Sequence, residues 1–176
     1  MKILSLIILI ATFTILTGCY SGINGKVVDG VTGSPIQEAV VLAQWTTTGG
    51  LPGLTHHSVY QIEETETDKE GKFYMSGVYN PFVDPPKMVV YKKGFVPWRN
   101  DSDFMDPSWT LYDNIIWQNN MVYKLDRWKE EYSKNRLDSF IQISGVSGET
   151  PKIQKIYSET YHDAYKEILD RKNLIK

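Results

Sequence analysis

The sequence predicts a mainly β protein, a β-sandwich followed by a C-terminal α-helical extension. From Ile23 to about Trp98, short apolar or alternating runs are separated by clusters of Gly, Pro, Asp and Ser, the layout of a sandwich. Beyond Asp126 the apolar residues recur at i, i+3 and i+4, which is a helical period. An uncharged apolar stretch ahead of Cys19 stands apart from both and reads as a leader.

The elements follow in order. Ile23–Val28 alternates imperfectly and runs into Asp29-Gly30-Val31-Thr32-Gly33-Ser34-Pro35, which is dense in turn formers. Val40–Trp45 is a nearly continuous apolar run of strand length. Successive strand side chains point to opposite faces, so such a run marks a strand buried on both. His57–Thr67 is β-branched enough for the next strand, and Thr67-Asp68-Lys69-Glu70-Gly71 closes a hairpin with glycine where positive φ is needed. Lys72–Met75 puts Phe73 and Met75 on one face, Met88–Tyr91 is a further strand, and Lys92-Lys93-Gly94-Phe95 turns the chain. A long connection spans residues 95–119, and Asn120–Leu125 supplies a closing strand. A helix is then expected over Trp128–Ser144, with Asp126 as N-cap and Leu137, Phe140 and Ile141 on one face, broken by Gly145–Gly148. Thr150-Pro151 starts a second helix, cap followed by first-turn proline. On it Ile153, Ile156, Tyr157, Thr160, Tyr161, Ala164, Tyr165, Ile168 and Leu169 form one stripe, while Lys155, Glu159, Asp163, Lys166 and Asp170 face away.

The leader has the three parts of a secretory signal: a positive start at Met1-Lys2, an apolar core over Ile3–Leu16, and small residues before a cleavage point. Leu16-Thr17-Gly18-Cys19 resembles the lipobox of bacterial lipoproteins. The resemblance implies diacylglyceryl attachment to the Cys19 thiol, cleavage before Cys19 and acylation of the new amino terminus. A spanning helix would need about 20 apolar residues, and no basic stop-transfer cluster follows in Tyr20–Asn24. Stable anchoring takes about two acyl chains, which a lipidated Cys19 carries. The organisation is therefore a signal peptide at 1–18, a lipid anchor and short linker at 19–22, a sandwich at 23–125 and a helical extension at 126–176. Tyr20 stands where an aspartate commonly signals inner-membrane retention in enteric bacteria, which favours the outer membrane if the host has two.

Three segments of the sandwich resemble carboxypeptidase regulatory-like domains: Ile23-Asn24-Gly25-Lys26-Val27-Val28-Asp29 with Thr32–Ile36 and Ala39–Val41, then Thr67–Phe73, then Tyr91–Phe95. That family implies a seven-stranded, transthyretin-like (prealbumin-like) sandwich and a non-catalytic module, found beside peptidases and on surface proteins. It transfers no catalytic residue. The loop at 95–119 and the helical extension lie outside the matched segments.

Composition narrows the function. The mature chain would hold 158 of the 176 residues, a length typical of one domain with room for a core that needs no staples. The single cysteine is committed to lipid, so the mature monomer contains no disulfide. The formal charge is −2 and no basic stripe appears, which argues against nucleic acid as a partner. No Gly-x-Ser-x-Gly elbow, phosphate loop or histidine–glutamate zinc helix is present. The expectation is a non-enzyme without a cofactor, an envelope hydrolase being the minor alternative.

The candidate binding residues are Trp98, Phe104, Trp109, Tyr112 and Trp117 of the long loop. Such side chains stack on sugars or on a partner's apolar surface, and more often they pack a loop onto its own domain with one or two rings left exposed. The partners considered are the membrane through lipid on Cys19, an envelope protein, and a cell-wall glycan. Asp101, Asp103 and Asp106, beside Asn100, are weak candidates for a hard cation, although an EF-hand would require a glycine and a glutamate that the segment lacks; a solvated acidic loop is the commoner arrangement. Adjacent His56 and His57 point to opposite faces of a strand and do not share one ion. The expected metal set is none.

Overall fold

A computed structural model describes residues 19–51, 53–106, 108, 110–111, 115–141 and 151–174. The signal peptide therefore lies outside the described residues. Nine strands run in chain order: β1 Cys19–Tyr20, β2 Ile23–Asp29, β3 Val40–Leu51, β4 Leu54–Glu66, β5 Lys72–Met75, β6 Val78–Tyr79, β7 Lys87–Tyr91, β8 Trp98–Arg99 and β9 Met121–Leu125. Two helices follow, α1 Lys134–Ile141 and α2 Pro151–Leu174. Seven strands form two sheets, β5-β2-β9 and β4-β3-β7-β8, while β1 and β6 make a separate pair. The expected mainly β sandwich with a helical extension is present, and β2 and β9 are its one parallel neighbour pair among the described strands.

One core joins the sheets. Ile23 and Val27 of β2, Phe73 and Met75 of β5, and Tyr123 and Leu125 of β9 meet Val41, Ala43 and Trp45 of β3 and Met88 and Val90 of β7. The alternate residues Leu42, Val89 and Tyr91 emerge on the outer face of the four-stranded sheet, where Ile141 of α1 and Ile156 of α2 cover them. This double burial is why Val40–Trp45 is apolar almost throughout. Gly71 has φ of 75°, and its carbonyl accepts the Val27 N–H at 2.8 Å, so the glycine expected in the hairpin is required by the conformation.

The helices differ from expectation in two places. α1 starts at Lys134 rather than Trp128, because the chain leaving β9 stays extended: Val96 N–H donates to Asp126 O and Trp128 N–H to Gly94 O. Asp126 is therefore no cap; the Ser133 hydroxyl accepts the Arg136 N–H at 3.3 Å in that role. Among the described side chains of α2 the buried line is Ile156, Thr160 and Ala164, whereas Tyr161 and Tyr165 are exposed and stacked on each other at 6.3 Å; Ile153, Tyr157, Ile168 and Leu169 of the expected stripe lie outside the described side chains. The Gly145–Gly148 break and Thr150 lie outside the described residues.

The registers define two poles of the sandwich. Near the start of β2, Cys19 pairs with Tyr79, and Trp117 packs on Trp45. Near its end, Asp29 faces the turn to Ser34 while Val27 meets Gly71 and Ile36. At about 3.3 Å per residue, the seven residues of β2 separate these poles by about 20 Å.

Candidate functional site

The aromatic loop turns inward. Trp98 packs edge-on against Tyr123 at 4.8 Å, and Trp117 stands against Trp45 at 5.4 Å with its indole N–H donating to the Ser21 carbonyl at 3.0 Å. Phe104 is buried among Trp128, Tyr132 and Phe140. Trp109 and Tyr112 lie outside the described residues. Of the two arrangements weighed from the sequence, Trp98, Phe104 and Trp117 take the packed one, and this part of the loop is a strap. The physical reason is that the sandwich alone leaves Trp45 and Tyr123 uncovered at this side, and the loop supplies the missing apolar area.

Two arginines that sequence reading passed over hold the strap down. Arg99 makes a two-toothed pair with Asp101 at 2.8 Å on each arm, donates to the Phe140 carbonyl at 2.9 Å, and sits over the Phe140 ring. Arg136 donates to the Phe104 carbonyl at 2.9 Å and to the Asp106 carbonyl. Asn100, fully buried, receives the Met88 N–H and donates to the Pro86 and Ile116 carbonyls. The only prior hint was a charged pair, Arg99 and Asp101, flanking an amide inside an aromatic segment.

The three aspartates do not converge on a cation position. Asp101 is spent on Arg99, Asp103 accepts the Met105 N–H, and Asp106 receives the Ser108 and Thr110 N–H groups and the Ser108 hydroxyl. The Ser108 hydroxyl, then its N–H and the Thr110 groups, hold the Asp106 carboxyl well below the usual carboxylate range. No group of His, Cys, Asp and Glu among the described residues could hold a metal ion. His57 instead lies 2.9 Å from the Thr48 hydroxyl.

Two exposed features among the described residues bear on binding. The first is the outer part of the β3–β4 ribbon. Beyond a bulge between Trp45 and Thr46, the pair continues to Leu51 and Leu54 with few residues buried. β4 is an edge strand of 13 residues paired only with β3, and Leu54–Tyr60 are all exposed. The second is a cleft of about 410 Å³ at the pole of Glu38 and Lys92, between the sheet and α2. Val40, Tyr91 and Ile156 floor it, and its rim is largely self-neutralised by Lys92–Glu38, Lys93–Glu159 and Lys152–Glu66 pairs at 3.6–4.0 Å. Burial, helped by Glu159 and Asp163, pushes the Tyr91 hydroxyl up to about 12.

At the first pole, the expected linker at 19–22 is partly strand. Cys19 and Tyr20 are in register with Tyr79 and Val78, and Tyr20 packs on the core. Gly77 makes room for them: a Cβ there would stand 1.9 Å from the Tyr20 carbonyl oxygen. No described helix is long and apolar enough to cross a membrane.

No protein-family model and no curated protein matches the chain. Among solved structures, a streptococcal ancillary pilin aligns over 62% of this chain at 15% identity and a TM-score of 0.34. The aligned part spans only 30% of that pilin. The major plantain pollen allergen aligns over 64% of this chain and 97% of its own at 12% identity and a TM-score of 0.33. Both likenesses concern the chain trace and carry no functional argument.

Proposed function

We propose that this protein is a membrane-anchored, non-catalytic binding or scaffolding lipoprotein of a bacterial cell envelope, held by lipid on Cys19 and engaging a protein partner through the β3–β4 ribbon. The observation that carries the partner side is the uncovered edge of β4. An exposed edge strand presents unpaired backbone donors and acceptors and is a ready template for strand addition. Folded proteins usually blunt such edges with lysine, proline or a covering loop, yet Thr55–Gln61 contains neither lysine nor proline. The anchor side rests on the lipobox resemblance and on the pairing of Cys19 with Tyr79 at the start of the described chain. Tethering raises the effective concentration of the ribbon at the membrane, so modest intrinsic affinity suffices. The glycan reading is weakened because Phe104 is buried and Trp98 and Trp117 are packed against the core and half-buried, and no separate observation favours it.

The test is an in-cell crosslink of the full-length protein from a photoreactive group at Tyr60. One dominant protein adduct is expected. It should vanish when the ribbon is shortened by joining Thr47 to Ser58, which are in register, through an Asn-Gly turn. An adduct that persists in the shortened, still-folded protein would refute the ribbon as the contact.

A further inference from the structure

We propose that Tyr79 and Phe82 form an aromatic foot that rests in the lipid–water interface beside the acylated Cys19 and sets the orientation of the domain on the bilayer. The inference rests on the lipoprotein reading and adds to it a surface and an occupant, the glycerophospholipid interface.

Cys19 is not at the end of a free tether. It is the first residue of β1, directly opposite Tyr79, and the next residues, Tyr20 to Gly22, run close against Gly77, with Tyr20 packed on the core. Acyl chains on Cys19 would thus start from a residue paired in the folded domain, which brings the bilayer to the β1–β6 pair. Tyr79, opposite Cys19, and Phe82, in the turn that follows it, are the most exposed large apolar groups among the described residues, each 81% exposed. Phe82 follows Tyr79 by three residues, so their Cα atoms lie within about 11 Å. A third ring, Tyr74, is 58% exposed, with its hydroxyl against Gly22.

The chemistry suits the interface. Aromatic rings concentrate at headgroup depth, where an apolar body and a polar edge are both accommodated. The carboxylate closest in sequence, Asp84, is already engaged by the Thr46 and Thr48 hydroxyls. A foot beside the anchor places the charged cleft at the opposite pole, about 20 Å along β2, where it faces away from the membrane.

Because the native thiol is blocked by lipid, Phe82→Cys creates a single labelling site in the full-length, lipidated protein. An environment-sensitive fluorophore is attached there and, for comparison, at Gln37→Cys on the opposite pole. Both proteins are reconstituted on phosphatidylethanolamine–phosphatidylglycerol vesicles containing a nitroxide lipid, and Tyr79→Cys repeats the measurement if Phe82→Cys impairs folding. The expected result is blue-shifted emission and several-fold stronger quenching at position 82 than at position 37. Equal, water-like emission at both sites, with the lipid mass present on Cys19, would overturn the foot and leave the tether standing. A blue shift without nitroxide quenching would assign the patch to protein contact and also overturn it. Absence of lipid on Cys19 in the mature chain would remove both the foot and the lipoprotein reading.

Discussion

The two halves of the β3–β4 ribbon share a hydrogen-bonded pairing but live in different environments. Up to Trp45, β3 is buried on both sides, facing the opposite sheet through Val41, Ala43 and Trp45 and the helices through Leu42. Past the bulge the same two strands carry Thr46, Thr47 and Thr48 against Ser58 and Val59, then reach an exposed tip at Leu51 and Leu54. The inner half is stabilised by burial, and the outer half by its own cross-strand contacts together with Asp84. An isolated two-stranded ribbon is marginal in water. The contrast therefore separates the part of the molecule that makes it fold from the part that is free to change.

The sharpest way to break the contrast is to remove its boundary residue. Trp45→Ala takes away a fully buried indole and its edge-on contact with Trp117. It should cost about 3–5 kcal/mol, read from the urea midpoint. Leu51→Ala and Leu54→Ala at the exposed tip should each stay within about 0.5 kcal/mol of the parent. A tip variant as damaging as Trp45→Ala would show that the outer half belongs to the folding unit.

One position next to the boundary should respond in the opposite direction. Gln44 is 1% exposed, and neither of its side-chain polar atoms has a hydrogen-bond partner. Burying an unpaired amide is unfavourable, so Gln44→Leu, similar in volume, is expected to stabilise by about 1–3 kcal/mol. A fall in the urea midpoint would contradict the unpaired state of this amide.

Alkaline pH should act on the sandwich and spare the ribbon tip. Burial holds the Tyr123 hydroxyl up to about 12, and burial with Glu159 and Asp163 does the same for Tyr91. In the unfolded chain both would lose their protons near the ordinary tyrosine value of 10.0. Between that value and about 12 the unfolded state binds fewer protons than the native state, so stability falls as pH rises. Melting curves should shift down across this window, and Tyr123→Phe should flatten the shift. Unchanged melting from neutral pH to the top of the window would refute it.

The sequence made the inner half readable because burial leaves a pattern. Val40–Trp45 has too few polar residues for a half-exposed strand, and Phe73 and Met75 alternate as an inward face requires. The outer half carries no such pattern: Thr46–Thr48 are β-branched, but Thr46–Leu51 and Leu54–His56 lack the apolar alternation that burial of one face would leave. That the loop packs on its own domain is the commoner expectation, but its partners are not legible in the sequence, for a related reason. Trp98, Phe104 and Trp117 are apolar without periodicity, and their partners, Tyr123, Phe140 and Trp45, are remote in sequence. Arg99 and Arg136 fix the strap through carbonyl groups, which carry no side-chain signature. Likewise α2 offered a wide apolar stripe, and only packing decided that Tyr161 and Tyr165 lie outside it.

The smallest expected effect addresses how the outer half is held. Asp84 accepts from the Thr46 hydroxyl at 2.9 Å and from the Thr48 hydroxyl at 3.0 Å, while its own N–H donates to the Thr46 carbonyl. Asp84→Ala removes the side-chain contacts and keeps the backbone bond. At a part-exposed site this should cost about 0.5–1.5 kcal/mol. The global change is less informative than its location. If the ribbon is a separately opening unit, amide exchange should accelerate from Thr46 to Val59 and remain unchanged from Val40 to Trp45, since local opening need not involve the buried half. Uniform acceleration across both halves would mean that the ribbon opens only with the whole domain. The outer half would then be a rigid projection, and a partner adding to β4 would meet a preformed edge.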